Sequence, residues 1–181
     1  MPTIALKVQQ DGYWRGWSAL VGASFAYQAV DDSDGTTHDS ADSYITLPKL
    51  NLPTGAGRVS FPLFLQAEGL IPVAITLNVG ARRGGASHPQ LQIGFSRGGI
   101  VGFDATKFNP GAGWSVASRT FSLNPITAAA WSESDLVALE SCVQNEDGVN
   151  GNNDVTLVSG SIEYTGSHNW RGVRPRAVQV G

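Results

Sequence analysis

The stretch NPITAAAWSESDLVALESCV, residues 124–143, is the one part of the sequence with the pattern of an amphipathic α-helix. Ser132 suits an N-cap, because its hydroxyl can accept a hydrogen bond from an unpaired backbone N–H of the first turn. Asp135 can reach back to the cap as in a capping box. Apolar residues then follow at spacings of three and four: Leu136, Leu139 and Val143. The pattern predicts one short α-helix over residues 132–143, with an apolar face that must pack on another layer.

The composition around this stretch is that of a turn-rich β-protein. The chain has 181 residues, with 22 glycines and nine prolines against 15% charged residues, and its 41% hydrophobic content argues against disorder. A chain of this length is most simply interpreted as one domain. The formal net charge of −3 is too small to indicate a nucleic-acid partner, and no apolar run is long enough to span a membrane.

Alternating apolar and polar residues predict about eight or nine short strands. A long half-buried strand is predicted from Trp17 to Ala29, and the clearest strand covers residues 70–81. Its odd positions are predicted to face the interior: Ile71, Val73, Ile75, Leu77 and Val79. The segment ARRGGASHPQ, 81–90, is predicted to be a hairpin loop that returns to a strand at 91–95. With the single helix, this predicts an all-β, jelly-roll-like β-sandwich.

The segment after this sandwich differs in kind. We assign residues 1–166 to the sandwich domain, of which residues 1–12 could serve as an N-terminal arm, and 167–181 to a basic C-terminal arm. This arm contains three arginines and no acid, and arginine suits interfaces because its planar fork pairs with carboxylates and stacks on rings. The residues predicted to bind a partner are those of the arm and of the predicted hairpin tip: Trp170, Arg171, Arg174, Arg176, Arg82 and Arg83.

No residue pattern indicates catalysis, a cofactor or a metal. The histidines His38, His88 and His168 are far apart in the sequence, and the single Cys142 forms neither a disulfide within the chain nor a zinc set. Two acidic loops, 31–42 and 146–154, offer oxygen ligands for calcium. They lack the spacing of an EF-hand, and Asp and Asn are also what turns prefer, so turns are the favoured interpretation.

The order of elements resembles that of a group of β-sandwich virion proteins from tailed bacteriophages. The resemblance rests on DDSDGTTHDSADSYITL, GLIPVAITLNVGARRGG, NPITAAAWSESDLVALESCV and a last strand ending SIEYTG, over roughly residues 15–165. Its most specific part is the lead-in from Pro125 to Asp135. It implies a non-enzymatic structural virion protein, in the first place a capsid decoration or cement protein that binds and stabilises neighbouring coat subunits, and otherwise a head-fibre or tail-associated protein.

The resemblance implies as partners the major capsid or other virion proteins and further copies of the chain. The expected location is then the virion, after synthesis in the host cytoplasm, since the N-terminus shows no signal peptide pattern. Two alternatives stay open. A β-sandwich of this kind could be a carbohydrate- or receptor-binding domain of a phage tail or fibre, or a hydrolase on a jelly roll, because one fold hosts many functions.

Overall fold

The computed structural model describes residues 1–8, 10–30, 43–62, 71–86 and 89–165. Within them lie twelve strands and two short 3₁₀ helices, Ala26–Ala29 and Glu133–Leu136. The strands are β1 (Thr3–Lys7), β2 (Ala19–Val21), β3 (Tyr44–Leu47), β4 (Arg58–Pro62), β5 (Ile71–Arg83), β6 (Leu91–Arg97), β7 (Ile100–Phe103), β8 (Ser115–Phe121), β9 (Leu123–Asn124), β10 (Ala129–Ala130), β11 (Glu140–Asn145) and β12 (Asn153–Thr165).

Two antiparallel sheets form the predicted β-sandwich, which is confirmed. The large sheet has the order β2-β3-β12-β5-β8, with β1 also paired to β12; the small sheet has the order β4-β11-β6-β7. Residues on alternate positions of both sheets face one core, as the period of two requires. The core contains fully buried side chains from each sheet, among them Ile75, Leu77, Val79, Phe61, Ile93, Phe95 and Val143.

A buried amide pair joins the two sheets at one end. Asn153 on β12 donates from Nδ2 to Oδ1 of Asn145 on β11, at 2.8 Å, and to the carbonyl of Pro89 at 2.8 Å. Asn145 in turn donates to the carbonyls of Leu47 and Pro48, at 2.8 and 2.7 Å. Buried polar groups are costly unless they are hydrogen-bonded, so these bonds fix how the strand ends meet.

The predicted α-helix over 132–143 is wrong. The capping contact exists, since the backbone N–H of Ser132 donates to Asp135 Oδ2 at 2.9 Å, but it caps a single 3₁₀ turn. Ala138 has a left-handed φ of 56°, which ends the turn, and the chain continues as β11. The helical spacing of Leu139 and Val143 is also a period-two spacing, and both face the core, Val143 from β11 and Leu139 from the position just before it.

Trp131, which precedes the turn, is part of the core. Its ring is 5% exposed, meets Phe95 and donates from Nε1 to the carbonyl of Phe121 at 2.8 Å. Cys142, read as a helix residue, lies fully buried on β11.

The predicted long strand from Trp17 to Ala29 is also wrong. Strand β2 ends at Val21, and Gly22 follows with φ of 72°, a left-handed conformation that suits glycine. The chain then forms the first 3₁₀ helix, whose Ala26 and Ala29 are buried in the core.

The strand β5 follows the predicted alternation only in part. Ile75, Leu77 and Val79 are buried as predicted, but Ile71 is 56% exposed and Val73 is half-buried, whereas Pro72 and Ala74 are buried. A β-bulge is the cause: Ala74 pairs with Glu163 and Pro72 with Tyr164, so Val73 is an extra residue that reverses the faces beyond it. The prediction that Ile71 and Val73 face the core is therefore wrong.

The predicted hairpin over 81–90 is a connection between the two sheets. β5 lies in the large sheet and β6 in the small one, so the strand at 91–97 does not return beside β5. Short-range turn signals cannot distinguish a hairpin from such a crossover, because both need the same turn residues.

The N-terminal segment around residues 12–16 runs along β4 at the edge of the small sheet. Gly12 N donates to Ser60 O at 2.8 Å, Ser60 N to Trp14 O at 3.0 Å, and Gly16 N to Arg58 O at 2.8 Å. A side chain on Gly12 or Gly16 would place its Cβ within 2.5 or 2.0 Å of a backbone oxygen. These glycines therefore allow the close approach that carries Tyr13 and Trp14 to the sheet.

Candidate ligand-binding surface

Arg82, one of the predicted partner-binding residues, is held in a cross-strand cluster on the outer face of the large sheet. Its Nε lies 3.0 Å from Asp154 Oδ2, and Asp154 Oδ1 accepts from Thr46 Oγ1 at 2.8 Å. The guanidinium carbon lies 4.5 Å from the ring centroid of Trp114 and 5.0 Å from that of Tyr44. The cluster therefore neutralises its own charge and ties β3, β12 and β5 together.

Arg83 does not belong to this cluster. The Arg83 side chain is exposed at the end of β5, and its backbone N–H donates to Gly111 O at 2.9 Å. The other predicted partner-binding residues, Trp170, Arg171, Arg174 and Arg176, lie outside the described residues. Of the predicted partner-binding residues, the structure therefore describes Arg82 and Arg83.

A second arginine, Arg58, lies on the outer face of the small sheet. Its guanidinium carbon is 4.6 Å from the ring centroid of Trp14 and 5.9 Å from that of Phe103. Phe103 belongs to β7, on the far side of β11 and β6 from β4, so the side chain reaches across the middle of the sheet. Small residues of the intervening strands, Cys142 and Gly94, pair with each other beneath this route.

A row of amides continues from Arg58 across the sheet. Arg58, Gln144 and Gln92 lie directly opposite one another on β4, β11 and β6. Arg58 Nε donates to Gln144 Oε1 at 2.6 Å, and Gln144 Nε2 donates to Gln92 Oε1 at 2.8 Å. Arg58 and Gln144 are 6% and 5% exposed, whereas Gln92 is half-buried at the accessible end.

Tyr13 and Glu140 lie at the N-terminal end of β11, four residues along the strand from the row, and Tyr13 is connected to Arg58 through the ring of Trp14. The Tyr13 side chain is 63% exposed, packs edge-on against Trp14 at 5.1 Å between centroids, and lies on the backbone of Gly99. Both oxygens of the Glu140 carboxylate accept from Tyr13 N at 3.1 Å, and Oε2 also accepts from Ser60 Oγ at 2.5 Å. We call the set Tyr13, Trp14, Arg58, Gln92, Phe103, Glu140 and Gln144 the small-sheet surface.

The electrostatics of this surface are those of a buried cation over a buried thiol. Desolvation raises the pKa of the Cys142 thiol above its ordinary value, which keeps the thiol neutral, although the charge of Arg58 opposes the shift. Burial also lowers the pKa of Arg58, yet an arginine stays protonated in proteins. The ion pairs among the described residues do not include Arg58, because the nearby acid, Glu140, is turned towards Tyr13 and Ser60.

In the part of the chain that is described, the arrangement of side chains does not support a calcium site. There, no group of three or more His, Cys, Asp or Glu side chains is placed to hold a metal ion. In the loop at 146–154, Glu146 pairs with Lys107, Asp147 accepts from Gly148 N, and Asp154 belongs to the Arg82 cluster. The loop at 31–42 and the three histidines lie outside the described residues. Over the same described ranges, the structure shows no helix with the length and hydropathy of a membrane span.

Sequence reasoning missed Arg58, Gln92, Glu140 and Gln144 altogether. The available signal is weak: each lies at an outward position of a strand whose neighbours on either side face the core. Their spacing along the chain, 34 and 52 residues, says nothing about which strands pair, and only the sheet order β4-β11-β6 places them side by side.

No family model and no curated protein sequence matches this chain. Among solved structures it is similar to a family 16 carbohydrate-binding module, with 8% identity and a TM-score of 0.41 over 67% of this chain and 78% of that one. It is similar to the CBM22-1 xylan-binding domain of Paenibacillus barcinonensis, with 9% identity and a TM-score of 0.43 over 88% and 92%. It is also similar to a Stig cyclase from Fischerella sp. TAU, with 15% identity and a TM-score of 0.48 over 71% and 67%. These likenesses are too distant to bring a ligand or an activity to this chain.

Proposed function

We propose that this protein is a non-enzymatic binding domain whose small-sheet surface recognises a carbohydrate. The observation that carries the proposal is the row Arg58–Gln144–Gln92 on the same face as the exposed ring of Tyr13, with the ring of Trp14 between Tyr13 and Arg58. Sugars present hydroxyl groups at their edges and apolar C–H groups on their faces. They are bound by planar polar side chains next to an aromatic ring, which is apolar in its body and offers an open face.

The surface is also prepared for binding before a ligand arrives. Gln144 has its carbonyl and amide groups both engaged, Tyr13 is fixed through its backbone to Glu140, and all strands belong to one hydrogen-bonded sheet. Side chains held in one geometry lose little conformational entropy on binding, which favours affinity. The Arg82 cluster is a poorer site, because its guanidinium already covers both aromatic rings and pairs with Asp154.

The test is binding of the full chain to a glycan array, followed by titration of the best ligand. Tyr13→Ala removes the exposed ring and keeps the backbone contact to Glu140, so we expect affinity to fall about tenfold or more. The control is Phe25→Ala, since Phe25 is also an exposed ring, at 54%, outside the small-sheet surface. Absence of any glycan binding, or equal losses in both variants, would contradict the proposal.

A second candidate function is the virion role that the resemblance implies, with coat proteins and further copies of the chain as partners. The observation in its favour is that exposed apolar side chains flank residues 125–135, the most specific part of the resemblance: Leu123 is 52% exposed and Val137 is 65% exposed. Exposed apolar side chains of this kind are typical of surfaces that another protein subunit covers. Sedimentation velocity tests this role: we expect an oligomer that Leu123→Ser with Val137→Ser dissociates, whereas an unchanged monomer would speak against it.

A further inference from the structure

The orientation of every amide in the row follows from the chemistry of Arg58. A guanidinium has five N–H donors and no acceptor, so Gln144 must turn its Oε1 towards Arg58. Its amide group then faces Gln92, which must accept through Oε1. This leaves the Nε2 amide of Gln92 directed away from the row. The acceptors are used within the row, and the groups left over are donors: Gln92 Nε2 and the terminal nitrogens of Arg58.

Arg58 carries a buried positive charge without a counter-charge among the described residues. The side chain is more than nine-tenths buried, and within the described residues its guanidinium has one hydrogen bond, through Nε to a neutral amide, and no ion pair. A buried charge without a counter-charge is costly, and stacking on Trp14 and Phe103 offsets only part of this cost. The missing component is an anion, and Glu140, the acid on the same face, already accepts from Tyr13 N and Ser60 Oγ.

We propose that the small-sheet surface selects an acidic sugar, a uronic acid or another carboxylate-bearing residue, whose carboxylate meets Arg58 and the Nε2 amide of Gln92. The inference rests on the proposed function and deepens it. A carboxylate is an acceptor-only group with two oxygens, which complements the unused donors of the row. Further units of the oligosaccharide then extend along the sheet towards Tyr13, the ring with an open face.

The experiment measures, by titration calorimetry on the full chain, binding of a uronic-acid oligosaccharide, its methyl ester and the neutral oligosaccharide of the same linkage. We expect the free acid to bind at least about tenfold more tightly than either neutral form, as for a charge-assisted hydrogen bond. Binding of the ester as tight as that of the acid would overturn the inference and leave carbohydrate binding intact. Failure of all three, with no ligand found on the array, would overturn both.

Two variants probe the site directly. Arg58→Gln removes the charge, and Gln92→Glu replaces the outward donor by an acceptor while Gln144 can still donate to it. Because Gln92 is half-buried at the end of the row, its variant is expected to fold even if Arg58→Gln does not. We expect Gln92→Glu to abolish the preference for the acid. Lys49→Gln, an exposed position with the same change in net charge, is the control and should keep the preference.

Equal loss of the preference in Gln92→Glu and Lys49→Gln would show that general charge, rather than this row, governs binding. Tight binding of polyglutamate in place of the oligosaccharide would likewise overturn the inference, since the ligand would then be an acidic peptide.

Discussion

The β-bulge at Val73 gives two isoleucines of the same strand and the same parity opposite surroundings. The prediction compares Ile75→Ala with Ile71→Ala, which remove identical atoms four residues apart. Ile75 is fully buried in the core, whereas Ile71 is 56% exposed. Simple alternation along β5 would make the two substitutions equivalent; the bulge makes them different.

The magnitudes follow from burial. Removing a fully buried isoleucine side chain to alanine costs about 2–5 kcal/mol, through lost transfer free energy and the cavity left behind. Substitution of an exposed side chain away from special features changes the free energy of unfolding by about 0.5 kcal/mol or less. With a urea m-value of about 1–3 kcal/mol per molar, Ile75→Ala should lower the unfolding midpoint by about 1 M or more.

The assay is urea unfolding followed by tryptophan fluorescence, for which the buried Trp131 beside Phe95 is a suitable reporter. Ile71→Ala serves as the matched control and should unfold within a few tenths of a molar of the parent protein. Equal midpoints for the two variants would refute the bulge and restore the unbroken alternation.

Three further predictions concern a glycine of β6, the buried cysteine and the C-terminal arm. Gly94→Ala should destabilise by about 1–3 kcal/mol or more in the same urea assay, because the added Cβ would lie 2.0 Å from Gly102 O, whereas at Gly113 nothing lies within 4 Å and Gly113→Ala should be neutral. Cys142 should resist iodoacetamide at pH 8 until the protein unfolds, and rapid labelling of the native protein would refute its burial. Because the pKa of Cys142 is raised in the folded state, the free energy of unfolding should fall above about pH 9, where the thiol of the unfolded chain loses its proton. Cys142→Ala should remove this pH dependence. A chain cut after Gly166 should keep its unfolding midpoint, and if Trp170 anchors the arm on the partner subunits that the resemblance implies, the cut chain should lose that association. Unchanged association would place the interface on the sandwich.

How far the sequence predicts this structure depends on whether a pattern is local. The strand at 44–47 follows from alternation, because a face buried in one core imposes the period on its own residues. The segment at 132–143 could not be decided in this way: a spacing of four suits both a helix and a strand, and the cap at Ser132 is compatible with a turn as short as four residues. Pairing with the two neighbouring strands decides for the strand, since Val143 lies between the buried Val59 and Ile93.

The crossing between β5 and β6, and with it the membership of each sheet, is a long-range property. Residues 81–90 have the glycines of a hairpin, yet Gly84 N donates to Asn152 O at 3.0 Å, a partner 68 positions away. The same limit explains why Arg82 and Arg83 were predicted as exposed cations of a loop tip. Arg82 belongs instead to β5, where register places Asp154 directly opposite.

Arg82 and Arg58 show how register, rather than residue type, decides what an arginine on this sandwich can do. Both stack on a tryptophan at about the same distance, 4.5 and 4.6 Å to the centroid. The residue directly opposite Arg82 is the acid Asp154, and the residue directly opposite Arg58 is the amide Gln144. An acid neutralises its partner and closes the cluster, whereas an amide engages one nitrogen and passes the hydrogen bond on to Gln92, leaving the charge available. The Arg82 cluster therefore joins strands within the protein, whereas the row at Arg58 keeps unused N–H donors for the carboxylate ligand that we propose.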